Sequence, residues 1–332
     1  VPKGTVFPTS PPTIVGGTAM LSYWVTDGIE VGMASGGVRG YDALTGALRW
    51  VWDPLRDPAA LPAEGETYTR GTPNAWGVFS GDEELGLVYL GTGVTTPDYF
   101  GAHRTPELEE YATAFVALDV LTGRPRWHFR TVHHDIWDYD IGSQPVLADI
   151  QKDGAPVPAL VGPTKRGQFF ILDRRTGAPI FPVEERTVPQ GAAAGDFTAP
   201  TQPYSPGFAN VAGEPLAERR MWGATPLDQL WCRIAFRKAR YEGEFTPPGI
   251  EDTLFYPGSA GGVNWGSVSI DPVRGTLFAN SLYMADIGRL IPREEADRIA
   301  KAYGKGGSSE SFAFPQKGTP YAMDRRVFLG PL

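Results

Sequence analysis

Residues 131–140 bring together an unusual density of side chains that can carry chemistry. The stretch contains two imidazoles and three carboxylates, which are His133, His134, Asp135, Asp138 and Asp140. Such groups are the ones that most often move protons in enzymes. The stretch is therefore a candidate catalytic segment. The alternative, a polar loop that only closes one structural repeat onto the next, stays open at this point.

Two cations form a second candidate cluster. Lys165 and Arg166 lie between an apolar run, residues 159–161, and a β-type stretch, residues 168–172. This order predicts a turn between two strands that carries both charges. On the residues alone, an ordinary solvated Lys-Arg turn is the stronger interpretation.

Glycines flank aromatic residues at two further places. Trp76 stands between Asn74 and Gly77, and Asn264 and Trp265 follow two glycines. Small residues beside a ring let a flat ligand approach the backbone. A tryptophan that only packs is the commoner arrangement, so each motif is a weak signal by itself.

A repeated hairpin pattern must position these residues. The pattern D-x-x-T-G-x-x-x-W occurs at 42–50 and 119–127, and a third copy at 173–181 ends in Phe. In such a turn, Asp and Thr bind amides and Gly adopts a positive φ. The aromatic residue after the turn can then pack between neighbouring sheets, as the radial blades of a β-propeller require.

Looser hairpins at 82–89 and 271–278 bring the prediction to roughly four blades, and a helix is predicted over 292–303. The fold class is therefore all-β. We expect residues 1–332 to form one partial propeller domain with long insertions between strands.

Composition agrees with an all-β globular protein. The 332 residues include 41 Gly and 31 Pro, with 42% hydrophobic and 20% charged residues. The net charge of −8 offers no basic face to nucleic acid, so a small-molecule partner is expected. The single Cys232 excludes an intrachain disulfide, and no apolar stretch approaches the roughly 18 residues of a membrane span.

Taken together and in order, these motifs resemble the PQQ-dependent (pyrroloquinoline quinone) quinoprotein dehydrogenases, most closely the membrane-associated glucose and quinate/shikimate branch. The segments that carry the resemblance are 9–12, 35–41, 133–138, 163–167, 221–230 and 240–243. The resemblance implies an eight-bladed propeller of which this chain covers about half the blades.

The resemblance also implies roles for single residues. Asp138 matches the catalytic carboxylate, Lys165 the cation at the quinone oxygens, and Trp76 the indole under the cofactor plane. Asn264, with its neighbour Trp265, matches a cofactor contact. These roles agree with the chemistry of hydride transfer, because the alcohol needs a base and the reduced quinone needs a cation.

A divalent cation, Ca²⁺ or Mg²⁺, is implied as a Lewis acid. The sequence departs from the family pattern here, because Val94 and Gly28 stand where metal-binding Asn residues are expected. Asp27 together with Asp138 is the metal site that the sequence still predicts.

The implied activity is oxidation of an alcohol or polyol, a quinate/shikimate-like cyclitol or an aldose, with electrons passed to a ubiquinone-type acceptor. Residues 135–143 and 290–297 favour the quinate side slightly. The resemblance places the protein in the periplasm, attached to the inner membrane through a segment absent from this chain.

Two other functions remain as alternatives. A non-catalytic propeller scaffold or binding module would explain the missing Asn ligands. A glycosidase that uses Asp135 and Asp138 is a poor fit, because residues three apart in one loop are not placed on opposite sides of a sugar ring.

Overall fold

The computed structural model describes residues 4–63, 66–303 and 314–329. Short antiparallel strands make up most of its regular structure. In chain order the first strands are β1 (Val6–Phe7), β2 (Thr13–Val15), β3 (Thr18–Leu21), β4 (Trp24–Val25), β5 (Val38–Asp42), β6 (Leu48–Trp52), β7 (Ser80–Asp82), β8 (Leu87–Gly91), β9 (Ala114–Asp119) and β10 (Pro125–Arg130). The remaining strands are β11 (Val146–Lys152), β12 (Ala155–Pro163), β13 (Phe169–Asp173), β14 (Glu184–Thr187), β15 (Thr201–Tyr204), β16 (Thr253–Phe255), β17 (Val268–Asp271), β18 (Thr276–Ala279), β19 (Asp286–Pro292) and β20 (Tyr321–Val327).

The strands pair into small separate sheets. Two sheets have four strands, in the orders β2-β3-β5-β6 and β10-β9-β8-β7, and two have three, β11-β12-β13 and β16-β19-β20. The pairs β1-β4, β14-β15 and β17-β18 complete the set in the described ranges. Consecutive strands that pair locally are what the predicted blades require.

The repeated turn pattern forms as predicted. Asp42 accepts hydrogen bonds from the amides of Leu44 and Thr45 at 3.0 and 2.7 Å, and Gly46 has φ +73°. Asp119 and Gly123 repeat this arrangement in the next blade. The pattern therefore encodes the β5-β6 and β9-β10 hairpins locally.

The tryptophan that ends each of the first two copies of the pattern packs against the turn of the following blade. The indole N–H of Trp50 donates to the carbonyl of Val120 at 3.0 Å, and a Cβ on Gly123 would lie 2.5 Å from the Trp50 ring. Trp127 repeats this contact, with its N–H on the Arg174 carbonyl at 3.1 Å and its ring against Gly177. Glycine is therefore required at this position for two reasons. It adopts a positive φ, and it has no Cβ that would overlap the ring.

The third copy of the pattern differs after its turn. Asp173 and Gly177 form the turn, but only a single bridge, Leu172 to Pro179, follows it. Proline at this position is not the cause, because Pro125 occupies the same place in the second copy and begins β10. The third blade has three strands instead of four in the described chain.

The middle strand β9 shows why the blades stack. Ala114, Val116 and Leu118 pack into a cluster with residues of the first blade. Phe115 and Ala117 pack into a second cluster with residues of the third blade. Because side chains alternate along a strand, both faces of this blade are buried and its sequence is continuously apolar.

Helices are few. They are α1 (Pro106–Glu109), α2 (Pro226–Lys238) and α3 (Arg293–Tyr303), with a short 3-10 turn at Glu218–Arg220. The predicted helix at 292–303 is observed as α3. The sequence analysis missed α2, although Thr225 caps it by accepting from the Asp228 amide and Pro226 begins it. Among the described helices, none is both long and apolar enough to span a bilayer.

Candidate active site

The candidate catalytic segment leaves β10 and crosses between blades, held by Asp135. One Asp135 oxygen accepts from the Trp137 amide at 2.9 Å; the other accepts from the Tyr139 amide at 2.9 Å and the Thr113 hydroxyl at 2.8 Å. Burial raises the pKa of Asp135 to about 6. Asp135 is thus a loop anchor, which leaves it poorly placed for the glycosidase alternative.

Asp138 projects from the anchored loop with φ +65°, a rare conformation for a non-glycine residue. Its Oδ1 accepts from Lys165 Nζ at 2.8 Å. Its Oδ2 accepts from the Tyr99 hydroxyl at 3.0 Å and from Arg325 Nη1 at 3.1 Å. The tertiary structure therefore joins the two strongest predicted residues, Asp138 and Lys165, in one buried ion pair.

The charges of this pair hold each other ionised. Burial favours a neutral Asp138, but Lys165 and Arg325 overcome it and lower the pKa of that carboxyl below its usual value. Burial likewise opposes the charge on Lys165, while Asp138 and Asp140 raise the pKa of the ammonium. At neutral pH the site holds a carboxylate beside an ammonium.

Trp76 lies beside this pair, with Lys165 Nζ 5.9 Å from the centre of its ring. The indole N–H donates to Asp140 Oδ2 at 3.0 Å, which fixes the plane of the ring. Gly142 lies against the indole so closely that a Cβ there would overlap it. The ring is thus held by a carboxylate at its N–H and by side-chain-free backbone against its six-membered ring.

Val94 and Gly28, the two positions that depart from the family pattern, make other contacts in the structure. The Val94 side chain is buried, and its amide donates to Asp140 Oδ1 at 3.0 Å. Gly28 leaves room for the Phe314 ring, which a Cβ would overlap. Both positions are therefore part of the packing around the site, and neither offers a side-chain oxygen to a metal ion.

Buried oxygen atoms gather around Asp27. Burial raises the pKa of Asp27 well above its usual value, and Asp140 and Asp138 add to the effect. Burial and then Asp27 do the same to Asp98. Among the described residues, Asn74 Oδ1 and Asp98 Oδ1 are buried without a hydrogen-bond partner. Desolvated carboxylates and an orphaned amide oxygen are suited to a hard cation.

The geometry does not form a complete protein-only metal site. No group of three or more His, Cys, Asp or Glu in the described chain is arranged to hold a metal ion. Of the two predicted ligands, Asp138 has both oxygens occupied by donors, whereas Asp27 is approached only by the Asn74 amide nitrogen, at 3.4 Å, among the side-chain contacts described.

Asn264 and Trp265 stand apart from the ion pair. The Asn264 side chain binds locally, donating to the Ala260 carbonyl and accepting from the Trp265 amide, and Trp265 is 76% exposed. Their segment supports the site through Gly261, where a Cβ would lie 2.6 Å from Lys165 Cα. Their cofactor contact stays a prediction.

His133 and His134 connect the candidate catalytic segment to residues that are distant in the sequence. The His133 amide and carbonyl both bind the Gln202 side chain at 2.7 Å. His134 Nε2 lies 2.8 Å from Asp196, and its ring stacks on Phe197 at 3.8 Å. They position the loop that carries Asp138 and are remote from its carboxylate contacts.

Sequence reasoning missed Tyr99, Arg325 and Asp98 as site residues. Tyr99 and Asp98 follow Pro97 in a turn, which is only a weak signal for a buried site. Arg325 lies in β20, where neither a local motif nor a regular alternation of buried and exposed residues marks it. It reaches Asp138 from 187 positions away, so tertiary structure alone identifies it.

Comparison with known proteins places this geometry in context. Residues 1–332 match the family described as glucose/ethanol/alcohol dehydrogenase, β-propeller domain, PQQ. The glycerol dehydrogenase large subunit of Gluconobacter oxydans is 47% identical over 96% of this chain and 44% of its own length. The quinoprotein glucose dehydrogenase of Escherichia coli is 44% identical over 99% of this chain and 41% of its own length.

A quinate/shikimate dehydrogenase (quinone) of Acinetobacter baylyi is 39% identical, covering 98% of this chain and 40% of its own length. The crystal structure of a quinohemoprotein alcohol dehydrogenase from Comamonas testosteroni superposes with a TM-score of 0.57 at 22% identity, over 98% of this chain and 43% of that one. The chain thus spans less than half the length of these proteins. The matches confirm the predicted family resemblance and the β-propeller fold.

Proposed function

This chain belongs to the family of PQQ glucose/ethanol/alcohol dehydrogenase β-propeller domains, and from that premise we propose that the protein oxidises a CH–OH group of an alcohol or polyol. The observation that carries the proposal is the buried Asp138–Lys165 ion pair beside the Trp76 indole. A scaffold needs no such combination of carboxylate, buried cation and held aromatic ring.

The residues fit a flat, anionic cofactor. Trp76 offers an apolar ring whose orientation Asp140 and Gly142 fix, and Lys165 offers an ammonium that is only 5% exposed. Bound PQQ would supply the two-electron acceptor that no side chain provides. Lys165 would stabilise the negative charge that develops on oxygen in a site from which water is largely excluded.

Asp138 is the proton acceptor in this proposal. Its carboxylate is ionised at neutral pH and rigidly held, so it is ready to accept the hydroxyl proton of the alcohol. The direction of its carboxyl group is fixed by the Lys165 and Tyr99 hydrogen bonds. Orientation of this kind reduces the entropy that the reaction must otherwise lose.

A Ca²⁺ or Mg²⁺ ion would lie beside Asp27. Asn74 Oδ1 and Asp98 Oδ1 are among the buried oxygens that lack partners in the described structure, and they fit the oxygen preference of these ions. The cation would also relieve the repulsion among Asp27, Asp98 and Asp140. Val94 and Gly28 do not weaken this assignment, because it depends on other side chains.

For the substrate we propose a polyol, with glycerol, glucose and quinate as the representatives that the relatives' names supply. The preference for quinate stays a prediction, since identity to the glycerol and glucose relatives is higher. A ubiquinone-type acceptor, the periplasm and inner-membrane attachment through another segment are part of the same proposal.

The test is a PQQ titration of the full-length protein with and without Ca²⁺, followed by tryptophan fluorescence and by dye reduction with the three polyols. Trp76→Phe is expected to weaken PQQ binding. Asp138→Asn is expected to retain PQQ and lose about 10²- to 10⁴-fold in turnover. Trp222→Phe, at a 76% exposed position, is the matched control.

The outcomes separate the alternatives. PQQ binding that needs Trp76 without turnover of any polyol would favour a binding module over an enzyme. A folded protein that binds no PQQ in the presence of Ca²⁺ would contradict the proposal altogether.

A further inference from the structure

Arg325 is a second cation on the proposed catalytic carboxylate. It lies in β20, its side chain is 13% exposed, and Nη1 is 3.1 Å from Asp138 Oδ2. The Tyr99 hydroxyl accepts from the same guanidinium nitrogen and donates to the same Asp138 oxygen. Arg325, Tyr99 and Asp138 thus form a closed triangle of hydrogen bonds beside the Lys165 contact.

Contacts other than Asp138 also hold the Arg325 guanidinium in place, and they are present without a ligand. Its Nε lies 3.6 Å from Asp286 Oδ2, an oxygen that also accepts from the Ser259 amide at 2.8 Å. Its planar group faces the rings of Tyr99 and Phe314 at 5.1 and 4.7 Å. A buried cation fixed by a carboxylate and two rings has little freedom to leave its position.

Phe314 and Tyr99 are in turn fixed by neighbours. The two rings meet edge to face at 5.1 Å, and the Tyr99 amide donates to Gln316 Oε1 at 2.8 Å. Gly28 provides the space that Phe314 fills. The supporting structure therefore links Arg325 to three segments that are far apart in the chain.

Arg325 can compensate the charge of Asp138 when Lys165 does not. Asp138 and Asp286 are two carboxylates, and Lys165 and Arg325 are the two cations that contact them. If Lys165 turns towards a bound quinone, Asp138 would otherwise lose its compensating charge in a desolvated site, which is costly.

We propose that Arg325 is a positioning residue that holds the Asp138 carboxylate in place and thereby frees Lys165 for the cofactor. This inference rests on the proposed function and adds to it a residue that the family motifs in this sequence do not contain. A purely structural ion pair between β20 and the loop would stabilise the fold without affecting cofactor binding.

The experiment compares Arg325→Met, Arg325→Lys and the control Arg326→Met in the full-length protein. Arg326 is the exposed neighbour on the same strand. The measurements are the PQQ dissociation constant by tryptophan fluorescence, kcat and KM for the best polyol, and the denaturant midpoint, each also in an Asp138→Asn background.

We expect Arg325→Met to raise the PQQ dissociation constant about tenfold and to lower kcat about tenfold or more, with KM for the polyol changing less. Arg325→Lys should recover much of both losses, and Arg326→Met should resemble the wild type. In the Asp138→Asn background, the loss of denaturant midpoint caused by Arg325→Met should shrink, because the carboxylate that it serves is gone.

Two results would overturn the inference. One is an Arg325→Met protein whose PQQ affinity and kcat stay within about twofold of the wild type. The other is an equal loss of midpoint with and without the Asp138 carboxylate. A wild type that binds no PQQ would contradict the proposed function, while the midpoint comparison would still decide whether Arg325 acts through Asp138.

Discussion

Two parts of this molecule place a tryptophan ring against a glycine, in different surroundings. At the joint between the first two blades, Trp50 docks on the Gly123 turn, and both residues belong to copies of the same nine-residue pattern. At the active site, Trp76 lies against Gly142 and its surroundings are charged. The joint is repetitive and apolar, whereas the site is unique and polar.

The difference shows where stability and function are located. At the joint, the Trp50 ring buries a large apolar area and makes one hydrogen bond, to the Val120 carbonyl. Burial of apolar area between blades is the main source of folding free energy in a propeller. The site buries Asp27 and Asp98, whose pKa values are raised by burial and by neighbouring carboxylates, and such a cluster disfavours the fold unless a ligand binds. Three substitutions test this division.

The largest effect on folding is expected for Gly123→Ala compared with Gly46→Ala. Both glycines have a positive φ, +69° and +73°, so both variants have a similar backbone strain of about 1 kcal/mol. Only the Gly123 Cβ would enter the Trp50 ring, since the space at Gly46 is open. Gly123→Ala should therefore lower the free energy of unfolding by about 1–3 kcal/mol more than Gly46→Ala in denaturant titrations. Equal losses would show that the ring does not depend on the glycine.

A smaller effect, measured on cofactor binding, is expected for Gly142→Ala. Because its Cβ would also overlap a ring, the denaturant midpoint is measured alongside. A Cβ at this position pushes the Trp76 ring out of its plane, so we expect about tenfold weaker PQQ binding, equivalent to ~1.4 kcal/mol. Gly266→Ala is the control, because no atom lies within 4 Å of its Cβ position. The measurement is the PQQ titration by fluorescence. A Gly142→Ala protein with wild-type affinity would show that the ring plane is not essential.

The smallest effect is a pH dependence of stability. Although burial opposes it, the Asp196 and Glu109 carboxylates raise the pKa of His134, so its contribution is complete below about pH 6.5 and falls as pH rises through the higher folded-state pKa. Burial lowers the pKa of His128, which gives a contribution of opposite sign. His134→Gln should flatten the decline of the unfolding free energy with rising pH.

The control for this last experiment is His128→Gln, which should steepen the same decline, because it removes a contribution that grows with pH. The measurement is the denaturant midpoint of the wild type and both variants between about pH 5 and 8. If His134→Gln leaves the pH profile unchanged, the His134–Asp196 pair does not carry the charge that its surroundings indicate.

Local patterns were enough to predict the hairpins. Asp42, Thr45 and Gly46 satisfy one another within a few residues, so their spacing specifies a turn wherever it occurs. The same holds for the α3 helix. The third blade shows the limit of this reasoning, because the same turn is followed there by one isolated bridge, Leu172 to Pro179, and not by a fourth strand.

Single motifs were weaker guides to the site. Asp138, Lys165 and Trp76 were each predicted from separate segments, and the structure brings these three together. Asn264 and Trp265 came from an equally plausible motif and lie outside the ion pair. The imidazoles of His133 and His134 were candidates for proton transfer, and in the structure they contact Glu185 and Asp196 instead of Asp138.

By itself the sequence determined the family and the blade pattern, because turn chemistry and strand alternation act over short distances. It named Asp138 and Lys165 singly, and the tertiary structure joined them in an ion pair. Only the tertiary structure decided which residues surround Asp138. Tyr99 and Arg325 reach its carboxylate from 39 and 187 positions away. Their selection depends on burial and charge compensation in three dimensions, which no local spacing encodes.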